Sequence, residues 1–330
     1  MSGLPSSLRW LSPWRANAKS GTLALTLNEN AMRFVHASES NERGATIDAW
    51  GTELRGNQTR EAFLKRIKNI LPQAERVIAV LDPRDYQIVQ VDAPNVPPEE
   101  LRGAVRWRAM EFLDGSPHDF TLDILTLAGD VGGTEKVIAV AAQNDVIRAR
   151  MLDCASIGRE LSVIDVPETA QRNMLYALLL ADKTLASVAA ALVADGGRAL
   201  ITIVVQGELY FFRRFEFDVD KLAVAENAED SALISNSAEA ETILRSLMQL
   251  HRSFDLWDDN YPSLPLDRLV VDAGNKTAAI IERLKTETGV DTGPFDWAKI
   301  FKLNKTGAPA PWTDTAYLPL LGALLRPVAA

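Results

Sequence analysis

The chain has 330 residues, 47% of them hydrophobic and 24% charged, with a formal net charge of −9. That length suits two domains of ordinary size. The acidic balance excludes a general nucleic-acid binder, which needs basic surface to neutralise phosphate. The single cysteine, Cys154, excludes an internal disulfide framework and points to a reducing compartment. His36, His118 and His251 stand far apart with no cysteine at ligand spacing, so no metal site is expected. The most apolar region, Met174–Ala194, is broken by Asp182 and Lys183, and is too interrupted to span a bilayer.

Residues 1–20 stand apart. Arg9, Arg15 and Lys19 are interleaved with Leu8, Trp10, Leu11 and Trp14, and no acid precedes Glu29. Such a segment suits an anionic membrane surface, with Trp10, Trp14 and Arg15 as the contacts. The other reading is a tail, disordered or packed on the body.

From there the chain alternates. Thr22–Leu27 reads as a strand, and Asn28-Glu29-Asn30 as a turn, since Asn tolerates the left-handed backbone of tight hairpins. Ala31–His36 returns, Ser38–Gly44 reads as a polar loop, and Ala45–Thr52 is a third strand. Thr59–Leu71 has Phe63, Ile67, Ile70 and Leu71 at helical spacing, and Arg76–Leu81 is a strand. The second half repeats this order. Its strands are Ser187–Val193, Ala199–Val205 and Glu208–Phe217. Its helix is Glu239–Phe254, and its crossover strand is Asp267–Val271. Two meanders, each with a parallel crossover, predict a duplicated actin-like, ribonuclease-H-like α/β fold. The boundaries expected are a first domain over 21–185 and a second over 186–330.

Residues 82–158 interrupt the first half as an inserted α/β subdomain. Its helix starts at Pro97-Pro98-Glu99-Glu100, with prolines in the first turn and acids on the helix dipole. Leu101, Ala104, Val105 and Phe112 form the face expected to pack on the subdomain's own sheet. Asn144 is expected to cap the next helix, Asp145–Ile157. After the insertion come a strand, Glu160–Val166, and a helix from Pro167 to Leu180. A helix at Lys276–Thr286, an irregular stretch at Val290–Ile300 and an apolar helix at Tyr317–Leu325 close the chain.

The run Pro98-Glu-Glu-Leu-Arg-Gly-Ala-Val-Arg-Trp-Arg-Ala-Met-Glu-Phe-Leu113 resembles the hallmark segment of the PilM family of type IV pilus assembly proteins. Val137–Ala142, Val163–Ala170 and Leu320–Arg326 are similar to further pieces of that family, in the same order. Leu244-Arg-Ser-Leu247 and Arg252-Ser-Phe-Asp255 resemble its MshI branch, which serves mannose-sensitive haemagglutinin (MSHA) pili. The resemblance implies an actin-like cytoplasmic protein, peripheral at the inner membrane. It also implies that the protein binds the cytoplasmic tail of a PilN-like membrane protein and contacts the assembly ATPase.

The resemblance also implies where ATP and Mg would sit. Thr26 and Asn28 stand where the family's first strand has Asp and Gly, and Glu29 adds a charge that repels phosphate. Asp195-Gly196-Gly197 keeps an acid and two glycines at the second turn, although Ala194 competes for the acid's place. That turn is built as a phosphate holder would be, and equally as an ordinary hairpin. Only Gly274 survives of the adenosine loop, in Asp272-Ala273-Gly274-Asn275. Asp165, near the expected hydrolytic water, reads as a structural acid capping the helix at Pro167. The expectation is a scaffold without ATP hydrolysis, with weak binding left open at Asp195, Gly196, Gly197 and Gly274. The alternative is a nucleotide-binding actin-like ATPase regulating pilus or type II secretion assembly; sugar-kinase activity comes third. For the partner tail, Arg102, Arg106, Trp107 and Arg108 are expected to flank a groove, against the plainer reading of a solvated helix face. Trp257 and Tyr261, among acids, read either as an exposed contact or as anchors of a loop.

Overall fold

The computed structural model describes residues 21–113, 115–126, 136–183, 188–227, 237–304 and 309–327. Trp10, Trp14 and Arg15 lie outside them.

The first half opens with three antiparallel strands, β1 (Thr22–Leu27), β2 (Ala31–Asn41) and β3 (Gly44–Leu54). Helix α1 (Arg60–Lys68) follows, its N-cap Thr59 accepting from the Ala62 N–H. It leads to β4 (Arg76–Val80), parallel to β1. The stretch expected as a polar loop at Ser38–Gly44 is largely strand. β2 keeps pairing through Asn41 across irregular register at Ala37–Glu39, because it extends past the core with polar side chains in solvent.

The insertion comprises β5 (Tyr86–Asp92), α2 (Pro98–Ala109), β6 (Phe120–Thr126), β7 (Lys136–Gln143) and α3 (Asn144–Ser156). Its sheet runs β5-β7-β6. Val105 and Ala109 are fully buried against it, whereas Phe112, expected there, is 61% exposed. The helix tightens into a 3₁₀ turn at Met110–Phe112, which rotates Phe112 out and Leu113 in. Asn144 does not cap α3. It is the helix's first residue, and its carboxamide donates to the His118 carbonyl and accepts from the Thr121 hydroxyl.

The chain then forms β8 (Val163–Asp165), parallel to β4, and the long helix α4 (Pro167–Asp182). The second half follows as β9 (Val188–Asp195), β10 (Arg198–Val205), β11 (Glu208–Glu216), α5 (Val219–Asn227), α6 (Ser237–Asn260), β12 (Arg268–Asp272), α7 (Thr277–Thr288) and β13 (Asp291–Pro294). Its sheet, β11-β10-β9-β12-β13, repeats the order β3-β2-β1-β4-β8 of the first. The repeat is thus five strands deep in each half. It ends in equivalent helices, α4 and α8 (Leu318–Leu324).

These two helices pack on each other between the sheets. One core joins Val35, Ile47 and Ile78 of the first sheet, Leu175 and Leu321 of the helices, and Ala189, Ala191 and Val270 of the second sheet. Alternate residues of β9, Ala190 and Leu192, enter a second core under α5, α6 and α7. A strand buried on both faces is apolar throughout, which is why Val188–Ala194 looks so hydrophobic. Gly322 of α8 lies so close to α4 that a Cβ there would stand 2.1 Å from the Ala170 carbonyl oxygen.

Three features lie beyond the expected elements. α5 and β13 were not anticipated. Nor was β14 (Phe301–Leu303), which leaves the second half and pairs with β3 at the edge of the first sheet. α6 continues to Asn260. Trp257 is therefore fully buried, its indole N–H donating to the Leu264 carbonyl at 2.8 Å, and Tyr261 is 5% exposed. These two aromatics are core, not a surface.

One buried cluster ties the insertion to both halves. The Tyr86 hydroxyl of β5 donates to Glu168 of α4 at 2.5 Å. Arg214 of β11 donates to that hydroxyl at 2.6 Å and pairs with Glu168 at 2.7 Å. Burial, with the Glu168 charge, pushes the Tyr86 phenol far above its usual pKa, so it remains a donor.

Candidate functional site

The duplicated topology brings the ends of the first strands, β1 and β9, to equivalent turns. The two are built differently. In the first, neither Glu29 nor Asn30 has positive φ. Asn28 acts through its side chain instead: its Oδ1 accepts from the N–H groups of Asn30 and Ala31, both at 2.9 Å. This replaces the left-handed turn expected from Asn and consumes two amides that a phosphate would need. Arg150 of α3 donates to the Leu27 carbonyl, closing the turn from the insertion side.

The second turn is the two-residue loop Gly196-Gly197 between paired Asp195 and Arg198. Both glycines have positive φ, +55° and +79°, the mirror-image turn that matches strand twist. A Cβ on either would meet nothing within 4 Å, so the backbone conformation alone demands glycine. Among the described residues neither glycine amide has a hydrogen-bond partner.

Asp195 and Gly196 line a cavity of about 340 Å³, closed on other sides by Val219-Asp220, by Ala273–Lys276 and by Thr313–Thr315. The structure thus brings together Asp195, Gly196 and Gly274, three residues singled out from sequence; Gly197 completes the turn. Two amides of the loop around Gly274 are already occupied. The Gly274 N–H donates to Asp272 at 2.9 Å and the Ala273 N–H to the Thr277 hydroxyl at 2.8 Å. Asp272 also accepts from the Trp297 indole at 2.9 Å, and burial raises its carboxyl pKa above the usual range. Asp195, Asp220 and Asp314 face the cavity with one base, Lys276, whose ammonium is paired with Asp220. Asp220 arrives on α5, which sequence reasoning missed. No residue of the Leu27–Asn30 turn lines the cavity.

Asp165 is 2% exposed. Its Oδ1 accepts from the Val166 N–H, the Thr169 hydroxyl and the Arg326 guanidinium. It joins the start of α4 to the end of α8. Among the described residues no three His, Cys, Asp or Glu side chains gather as a metal ion would require.

On the insertion, the arginines expected to flank a groove face the sheet. Arg102 donates to the Leu122 carbonyl at 2.7 Å, Arg106 to those of Pro117 and Phe120 at 2.8 and 2.9 Å, and Arg108 to that of Asp92 at 3.2 Å. By the alternation of a ladder, Phe120, Leu122 and Asp92 turn their carbonyls away from β7. The guanidiniums therefore cap the edges of the three-stranded sheet. Trp107 is not drawn in with them and is 65% exposed. Among the described residues no helix is long and apolar enough to cross a membrane.

No protein-family model and no curated protein matches the sequence. Among solved structures, the PilM-PilN type IV pilus biogenesis complex superposes with a TM-score of 0.65 at 15% identity, over 94% of this chain and 100% of that one. The cytoplasmic domain of EpsL, an inner membrane component of the type II secretion system of Vibrio cholerae, gives 0.47 at 12% identity, over 92% of this chain and 95% of that one. A protein of actin-like ATPase fold from Bacteroides thetaiotaomicron gives 0.47 at 11% identity, over 83% and 90%. The fold is actin-like, with an inserted α/β subdomain.

Proposed function

We propose that this chain is a non-hydrolysing actin-like scaffold of a type IV pilus assembly machine of the MSHA type. It works at the cytoplasmic face of the inner membrane, holds the cytoplasmic tail of a PilN-like bitopic protein and links it to the assembly ATPase. The observation that carries this reading is the superposition on the PilM-PilN complex over 94% of the chain. The Pro98–Leu113 segment, with its PilM-like pattern, forms helix α2 of the insertion and the 3₁₀ turn after it, and supports the same reading. Trp10, Trp14 and Arg15 are proposed to add contact with the membrane surface.

The residues present do not fit a metal-bound triphosphate. Asn28 occupies the amides of the first turn, Thr26 replaces an acid, and the cavity at the second turn is lined by carboxylates that repel phosphate. Hydrolysis is therefore not assigned. One observation favours a second reading, residual nucleotide binding: the turn whose Gly196 and Gly197 amides lack partners among the described residues borders, through Asp195 and Gly196, a cavity of about 340 Å³, within the roughly 300–1,000 Å³ range of ligand sites.

Two measurements test these readings. A PilN-like tail peptide should bind the chain in fluorescence anisotropy, and absence of binding removes the scaffold reading. Mg-ATP at millimolar concentration should leave the melting temperature unchanged. A ligand at 100 times its Kd stabilises by about 2.7 kcal/mol, so a clear rise would establish the nucleotide reading instead.

A further inference from the structure

Helix α2 sorts its charges. Its arginines turn to carbonyls of the sheet below. The outward acids of the helix and of the 3₁₀ turn after it do not follow. Glu100 and Glu111 are exposed, and neither pairs with a base among the described residues. Between them lie Gly103 and Trp107. Steps of three and four residues put Glu100, Gly103 and Trp107 on one face of α2, and Glu111 follows in the 3₁₀ turn, four residues beyond Trp107. Helical side chains lean toward the N-terminus, so the missing side chain at Gly103 leaves the flank of the indole bare. A Cβ at Gly103 would meet nothing within 4 Å. Trp107 is 65% exposed, and Phe112 extends the apolar surface at 61%.

An exposed tryptophan between unpaired acids complements a segment with an apolar anchor and basic neighbours. A bitopic inner-membrane partner carries such a segment. Cytoplasmic residues bordering a membrane span have an excess of Lys and Arg. Resting on the tail-binding reading above, we propose that this face of α2 docks the basic, membrane-proximal part of the partner's tail. An apolar side chain of the tail packs on Trp107, and its basic residues pair with Glu100 and Glu111.

The test uses the full chain and a fluorescein-labelled PilN-like cytoplasmic tail, with a second tail whose membrane-proximal Lys and Arg are replaced by Glu. Trp107→Ala should weaken the natural tail at least about tenfold. Glu100→Gln with Glu111→Gln should weaken it about fivefold and flatten its salt dependence. The Glu-bearing tail should fail on the wild type and recover on Glu100→Lys with Glu111→Lys. All these positions are exposed, so melting temperatures should stay level, and that is checked first. If the natural tail binds every variant as it binds the wild type, this face is not the dock, while the scaffold reading stands. If residues 1–20 of this chain occupy the face instead, their deletion raises tail affinity only in chains with Trp107 intact, and the proposed occupant is wrong. If no tail binds the wild type, the scaffold reading fails and this inference falls with it.

Discussion

The turn after β1 and the turn after β9 occupy the same place in a repeated sheet. In the first, Asn28 folds back on the amides of Asn30 and Ala31. In the second, Gly196 and Gly197 hold positive φ, their amides take no partner among the described residues, and Gly196 lines a cavity. Asn28 and Asp195 are equivalent by register, each pairing across a two-residue loop. The contrast teaches that one place in a repeated sheet can be closed by two different devices, a side-chain oxygen on the turn's amides or a backbone conformation that needs glycine. The carboxamide of Asn28 satisfies two donors of its turn from within the chain, so those amides are not open to an anion.

The largest effect should come from breaking what holds the two turns at a fixed separation. Gly322→Ala forces a methyl into the Ala170 carbonyl and should destabilise by about 3 kcal/mol, read as a fall in the urea midpoint with unchanged m. Next comes the second turn itself. Gly196→Ala and Gly197→Ala should each cost about 1 kcal/mol for positive φ alone, since the added methyl meets open space. The same change at Glu29 should be almost silent in thermal melts, because that residue has no positive φ. Asn28→Ala should also cost about 1 kcal/mol, by releasing two amides. Asn28→Gly with Thr26→Asp sharpens the comparison further: a Mg-ATP-dependent rise in melting temperature, absent from the wild type, should accompany the freed amides.

The smallest effect is one of pH. The folded-state pKa of Asp272 is raised by burial. Its favourable contribution is therefore complete below the unfolded carboxyl pKa and declines as pH rises through the folded value. Asp272→Asn removes this titration. Its stability relative to the wild type should climb across that window, around a constant offset from the altered bonds to Gly274 and Trp297. A pH-independent difference in urea titrations would contradict this.

Much of the fold was legible because apolar runs and turn residues repeat. β1 falls where expected, as do the meander β9-β10-β11 and the crossover strands. β14 was not legible: three residues, Phe-Lys-Leu, carry no periodicity, and their pairing with β3 is decided by tertiary contact. Trp257 misled because its neighbours are acids, yet those acids lie on the solvent side of a helix that runs to Asn260. At the site, the residues Asp195, Gly196 and Gly274 were legible from turn chemistry. The Asx turn at Asn28 was only half visible, since composition does not say whether Asn bends its backbone or bonds through its side chain. The arginines of α2 were misjudged for a similar reason: Arg serves exposed edges of sheets as readily as interfaces.

The return of β14 to β3 bears on how the molecule is made. The first sheet lacks its outer strand, and its inner face lacks α8, until residues 301–324 have left the ribosome. At 5–20 residues per second, that interval is on the order of ten seconds after α4 emerges. During it the bare edge of β3 and the apolar face around Ile47 are open to neighbouring nascent chains. Completion of the first half is thus timed by residues that follow the second half's strands rather than by its own.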